Sequence, residues 1–137
     1  NTVKKQGVNN GDGTISWTVS LNENHANMKD WILSDELNGS AYTDTVHIET
    51  SKGASFDVPL PYKFGSDTAD KDTTASYTIT YKTKDDHPYN TSQVKNKVTL
   101  KDNNDKEKGS SEYDVEVGSK DPISRPVPAL PIMAMVL

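Results

Sequence analysis

The chain has 137 residues, a formal net charge of −5 and only 32% hydrophobic residues. That acidic balance repels a phosphate backbone and an anionic bilayer, and so argues against nucleic acid and membrane as partners. There is no cysteine, so any covalent staple must be something other than a disulfide.

The length suits one domain with a real core. Long amphipathic stretches are scarce, while Thr, Val, Tyr, Ser, Asn, Asp and Gly are plentiful. This mixture predicts short, half-exposed strands joined by polar turns. Residues 2–7 read as a first strand, with Val3 and Lys5 on one face and Lys4 on the other. Asn9-Asn10-Gly11-Asp12-Gly13 reads as a turn. Its oxygen-bearing side chains lack the ligand spacing of an EF-hand, so no metal is expected there. Residues 14–22 give the clearest strand. Ile15, Trp17, Val19 and Leu21 alternate with Ser16, Thr18 and Ser20, one face buried and one wet. Residues 23–30 are polar, with room for one helical turn.

Residues 31–37 are the next strand. Trp31, Leu33, Asp35 and Leu37 share a phase, which places a carboxyl group on an apolar face. The alternative is a break near Ser34, with Asp35 opening a turn toward Asn38-Gly39. The pattern leaves both readings open. Residues 45–50 carry Val46 and Ile48, and residues 55–60 form a strand ended by Pro59 and Pro61. Residues 63–74 read as a polar loop. Residues 75–84 are a strong strand with Tyr77, Ile79 and Tyr81 in phase. Residues 85–92 connect it to residues 93–100, where Val94, Val98 and Leu100 share a face with Asn96. Gln93, Lys95, Lys97 and Thr99 occupy the opposite face. A charged turn at 102–109 leads to residues 112–117, with Tyr113, Val115 and Val117 in phase.

About eight short strands with frequent turn signals predict an all-β fold, an immunoglobulin-like antiparallel β-sandwich over residues 1–118. Residues 119–137 form a non-domain tail punctuated by Pro122, Pro126, Pro128 and Pro131. Gly118-Ser119 resembles an artificial junction, and the tail reads as a tag or fused peptide. Its last apolar run, 129–137, is too short to span a bilayer. No signal peptide opens the chain, so it reads as a mature segment cut from a longer protein.

Three polar residues thus stand in phase with apolar neighbours: Lys5, Asp35 and Asn96. A buried amide without a partner costs about 1–3 kcal/mol, so Asn96 needs one. First and penultimate strands can be neighbours in a sandwich, which would put an amine beside a carboxamide with a carboxyl group nearby. Burial disfavours charge, lowering the pKa of Lys5 and raising that of Asp35. A neutral amine is a nucleophile. A protonated Asp35 can hydrogen-bond the Asn96 carbonyl, polarise it and shuttle a proton to the departing ammonia. The product is an amide crosslink between Lys5 and Asn96, formed once, without turnover or cofactor. Lys4 becomes the nucleophile if the strand phase slips by one, and Asp30 is a second candidate acid.

The same stretches carry a family resemblance. They are Lys5-Gln6-Gly7, the strand from Ile15 through Trp17 to Asn22, Ile32-Leu33-Ser34-Asp35-Glu36-Leu37, the strand from Tyr77 to Thr83, and Val94-Lys95-Asn96-Lys97-Val98. Together they resemble the isopeptide-bonded immunoglobulin-like domains of Gram-positive surface proteins, the collagen-adhesin and pilin-type modules. The resemblance implies a lysine on the first strand, an aspartate after a short hydrophobic strand and an asparagine near the end. It further implies a structural stalk or adhesin module on the cell-wall-attached, extracellular surface of a Gram-positive bacterium. Its partners would be neighbouring domains of the same protein, with host extracellular matrix as a possible ligand of a binding module. The family's wall-anchoring sorting motif is absent.

No enzyme is expected. His25, His47 and His87 are far apart, and neither a nucleophile elbow nor a metal-ligand spacing is present. Tyr42, Tyr62 and Tyr89 could form an exposed contact surface, but scattered aromatics on a β domain are usually packing. Asn38-Gly39-Ser40 and Asn90-Thr91-Ser92 match the glycosylation sequon, an accidental match in a bacterial protein.

Overall fold

Alternation along the strands sets the architecture. In β2 (Thr14–Leu21), Ile15, Trp17, Val19 and Leu21 are buried, while the residues between them reach toward solvent. A strand with one dry face must bury it against a second layer. The computed structural model describes residues 3–38, 40–42, 45–85 and 92–117 and shows that second layer.

Among the described residues, ten strands make two antiparallel sheets. The other nine are β1 (Val3–Asn9), β3 (Ile32–Asn38), β4 (Ser40–Tyr42), β5 (Val46–Thr50), β6 (Ser55–Val58), β7 (Tyr62–Lys63), β8 (Tyr77–Asp85), β9 (Ser92–Lys101) and β10 (Glu107–Val117). One sheet runs β1-β2-β8-β5-β6, with β4 also paired to β8. The other runs β10-β9-β3-β7. The core between them is built from Ile15, Trp17, Val19, Leu21, Leu33, Ile48, Ile79, Val94, Val98 and Leu100, all nearly inaccessible to solvent. This is an immunoglobulin-like antiparallel β-sandwich. No helix occurs among the described residues.

One side of the sandwich closes where two edge strands meet. β1 ends the first sheet, β10 ends the second, and the two lie against each other. The Asn9 amide donates to the Glu116 carbonyl at 3.0 Å across this seam. Gly7 makes the approach possible. A Cβ there would stand 2.5 Å from the Trp17 ring and 2.7 Å from a Val115 methyl, inside any tolerable contact.

Several expectations change. Residues 23–30 form no helical turn, because Asn22, His25 and Asp30 adopt left-handed φ values of 64°, 56° and 68°. The buried Asn22 side chain instead binds the Ala26 and Ala75 carbonyls at 2.9 and 2.8 Å, and Met28 plugs the core. The 63–74 loop is less polar in its role than in its composition. Phe64 is fully buried, and Asp70 turns inward. Tyr62 is 4% exposed with its hydroxyl on Asp70, so of its two readings it is packing and not contact surface. The two short strands β4 and β7 were not expected at all. The turn after β9 closes within Asp102–Lys106, so β10 starts earlier than the apolar alternation suggests. Tyr113 is in phase with Val115 yet 41% exposed, since it stands on the edge strand. His87, Tyr89, the side chain of Tyr42 and the 119–137 tail lie outside the described residues.

Candidate functional site

Strand register delivers four polar side chains to one place in the core. In the first sheet Lys5 pairs with Val19, and Tyr81 pairs with Trp17 on the other flank of β2. In the second sheet Asp35 pairs with Val98, and Asn96 pairs with Leu37. Lys5 and Tyr81 thus enter the interlayer space from one side, and Asp35 and Asn96 enter from the other. β3 continues unbroken through Asp35, so the carboxyl group stays on the inner face and opens no turn. The Lys5 and Asp35 side chains are 0% and 1% exposed, and Asn96 is wholly buried.

The Tyr81 hydroxyl is the hub. It accepts from Lys5 Nζ at 2.5 Å and from Asn96 Nδ2 at 3.0 Å, and it donates to Asp35 Oδ2. Lys5 Nζ stands 3.9 Å from Asp35 Oδ2, too far for a direct hydrogen bond. The Trp17 and Tyr81 rings flank the amine at 4.7 and 4.8 Å. Among the described residues, Asp35 Oδ1 and Asn96 Oδ1 are the buried side-chain atoms left without a hydrogen-bond partner.

The electrostatics follow from the dry setting. Burial pushes the Lys5 amine down to about 8, with the nearby Asp35 charge pulling the other way. Burial likewise raises the Asp35 carboxyl above its ordinary range, against the pull of Lys5 and of hydrogen bonds from Tyr81 and Asn96. Both shifts favour the neutral pair, an amine and a carboxylic acid. A proton on Asp35 would also turn one orphaned acceptor into a donor.

Sequence reasoning missed Tyr81. The available signal was its place in phase with Tyr77 and Ile79, since a buried tyrosine hydroxyl needs a partner. The two alternates sit elsewhere. Lys4 points outward, its side chain 62% exposed, 3.5 Å from Glu23. Asp30 is 43% exposed beside Lys29.

A second arrangement looks catalytic at first sight. Ser55 Oγ lies 3.3 Å from His47 Nε2, and His47 Nδ1 lies 2.7 Å from Asp57. Yet Glu49 also sits 3.1 Å from Nε2, on an open sheet face. Hydrogen bonds to both carboxylates raise the His47 pKa above its ordinary value, as expected of an exposed charge cluster. The two carboxylates also address opposite ring nitrogens, so the trio does not converge on a point where a metal ion could sit.

No family model and no curated protein matches the chain. Among solved structures it is similar to a collagen-binding domain from a Staphylococcus aureus adhesin. That likeness has a TM-score of 0.57 and 16% identity over 83% of this chain and 96% of the other. It is also similar to the S. aureus collagen adhesin, with a TM-score of 0.52 and 13% identity over 85% of this chain and 47% of that longer one. At such identities the likeness establishes the shared sandwich fold.

Proposed function

We propose that the chain is a structural module of a Gram-positive surface adhesin, stabilised by an autocatalytic isopeptide bond between Lys5 and Asn96. One observation carries the reading. An amine, a carboxyl group and a carboxamide are sequestered together between two sheets, with two acceptor atoms unsatisfied. A cluster built only for stability would satisfy those atoms.

In the reaction, neutral Lys5 Nζ attacks Asn96 Cγ, and an N–C bond forms. Asp35, protonated, hydrogen-bonds the carbonyl oxygen and stabilises the charge that develops there. The Cγ–Nδ2 bond then breaks. Nδ2 departs as ammonia, having gained the proton that Nζ lost through Asp35. The site works once and turns nothing over. The module occupies residues 1–118, faces the extracellular side of the cell wall and adjoins neighbouring domains of the same protein. The fold shared with an adhesin domain supports that placement.

Intact mass of the denatured protein tests the bond. The wild type is expected to fall short of its calculated mass by one ammonia, and Asn96→Ala to keep its full mass. Peptide mapping should place the linkage at Lys5 and not Lys4. A full wild-type mass overturns the crosslink.

A second reading is a module that itself binds host matrix. It is supported by an open groove of about 590 Å³ on the outer side of the second sheet, lined by Asp30, Ile32, Lys63, Lys101 and Asp105. The neighbour of the same fold is a collagen-binding domain. Immobilised collagen, titrated with the wild type and with Lys63→Glu, checks it. Binding that the charge reversal does not weaken would remove the groove from consideration.

A further inference from the structure

We propose that Tyr81 is a catalytic residue of the ligation, its hydroxyl carrying the proton from the Lys5 ammonium to the Asp35 carboxylate. This rests on the crosslink reading above.

The distances require an intermediary. Lys5 Nζ and Asp35 Oδ2 are 3.9 Å apart, beyond proton-transfer contact. The Tyr81 oxygen lies between them, 2.5 Å from Nζ and donating to Oδ2. Both hydrogen bonds point the same way, from amine to carboxyl. A single concerted shift breaks Nζ–H and forms Oη–H, while the original Oη–H breaks and Oδ2–H forms. Tyr81 begins and ends neutral, the ion pair becomes an amine and a carboxylic acid, and no solvent proton is needed.

The same oxygen also accepts from the leaving nitrogen, Asn96 Nδ2, at 3.0 Å. Attacking nitrogen, leaving nitrogen and acid therefore share one hydroxyl. That hydroxyl uses its one donor and two acceptor positions on these three groups. After attack, the proton can return along the same oxygen to Nδ2. The aromatic face of Trp17 holds the ammonium in place until the transfer. The core tyrosines Tyr62 and Tyr77 instead donate to Asp70.

Tyr81→Phe removes the oxygen and keeps the ring. The full-length chain, recovered unligated from inclusion bodies in guanidinium, is diluted into buffers from pH 6 to 9. Samples are quenched in acid, and the mass loss of one ammonia is followed with time. Because the wild-type transfer is internal, its rate should vary little with pH. In the phenylalanine variant Lys5 must give its proton to solvent. Its rate should be at least tenfold lower at pH 7 and rise with pH, closing the gap by pH 9. An unchanged rate, or a slowing by one constant factor at every pH, overturns the relay while leaving the crosslink intact. A wild type that never loses ammonia overturns both. If circular dichroism shows Tyr81→Phe to be unfolded, a fluorinated tyrosine placed at position 81 takes its place. Its more acidic phenol should change the rate severalfold, and an unchanged rate overturns the relay.

Discussion

Two aspartates inside this sandwich, Asp70 and Asp35, are met by tyrosine hydroxyls. Asp70 accepts from Tyr77 at 2.6 Å, from Tyr62 at 2.7 Å and from the Gly65 backbone at 2.8 Å. Rings of Phe56, Tyr62, Phe64 and Tyr77 pack in a row beside it, the first pair tilted and the next two edge to face. Burial, reinforced by Asp70, raises both phenols above their ordinary range, so they stay donors throughout the working pH range. Asp35 also takes a tyrosine proton, but its second oxygen and the neighbouring amide oxygen have no partner, and an amine shares the hydroxyl. Similar groups at similar depth therefore do different work. A saturated network holds a loop in one shape, whereas an unsaturated one retains the capacity to react.

The largest expected effect separates the two clusters by covalency. Asn96→Ala should keep its ammonia and lose about 4–5 kcal/mol of stability in guanidinium unfolding, by analogy with a disulfide that closes a loop of about 90 residues. A loss below about 1 kcal/mol would place the bond outside the stability of the fold.

Asp70→Ala should destabilise by about 3 kcal/mol, because it strands two buried phenols and frees the 63–74 loop. Its mass should still be short by one ammonia. If Asp70→Ala also blocks ligation, the two clusters are coupled and the contrast between them fails.

A third effect is a pH dependence confined to the unligated chain. With Lys5 unligated, its amine has a folded pKa of about 8 against an ordinary 10.5, and Asn96→Ala keeps it unligated. Between those values the folded state binds fewer protons than the unfolded one, so stability should rise with pH across that window. Asp35, raised on folding, works in the opposite sense at lower pH, with stability falling as pH climbs from the ordinary carboxylate range to the folded value. Ligation removes Lys5 from titration. Melting temperatures from pH 7.5 to 10.5 should therefore climb for Asn96→Ala relative to the wild type. Parallel curves would mean that Lys5 does not enter the unligated core.

Much of this was legible in the strands. Period-two alternation placed Lys5 and Asn96 on inner faces, because burial is a local property of a strand with one dry side. The same rule left Asp35 undecided, since a carboxyl group on an apolar face argues against its own strand. Only pairing with Val98 across the ladder resolves it. Tyr81, Tyr62 and Asp70 were not found for a different reason. Their roles depend on which side chain arrives from the facing sheet or from a loop folded inward, and no periodicity encodes that. The short strands β4 and β7 have too few residues to show any period. The absent helical turn at 23–30 was set by three left-handed residues whose conformation polar composition does not announce.

The seam between β1 and β10 has a consequence for a chain pulled by its ends. Lys5 lies on the first strand, and Asn96 lies on β9, one strand before the last. Under the proposed crosslink, the roughly 90 residues between them would carry no tension and could not be drawn out. On the order of 300 Å of contour length is thereby withheld from extension. Only the residues before Lys5 and those after Asn96 can lengthen, so the module would behave under load as a short link of nearly fixed length.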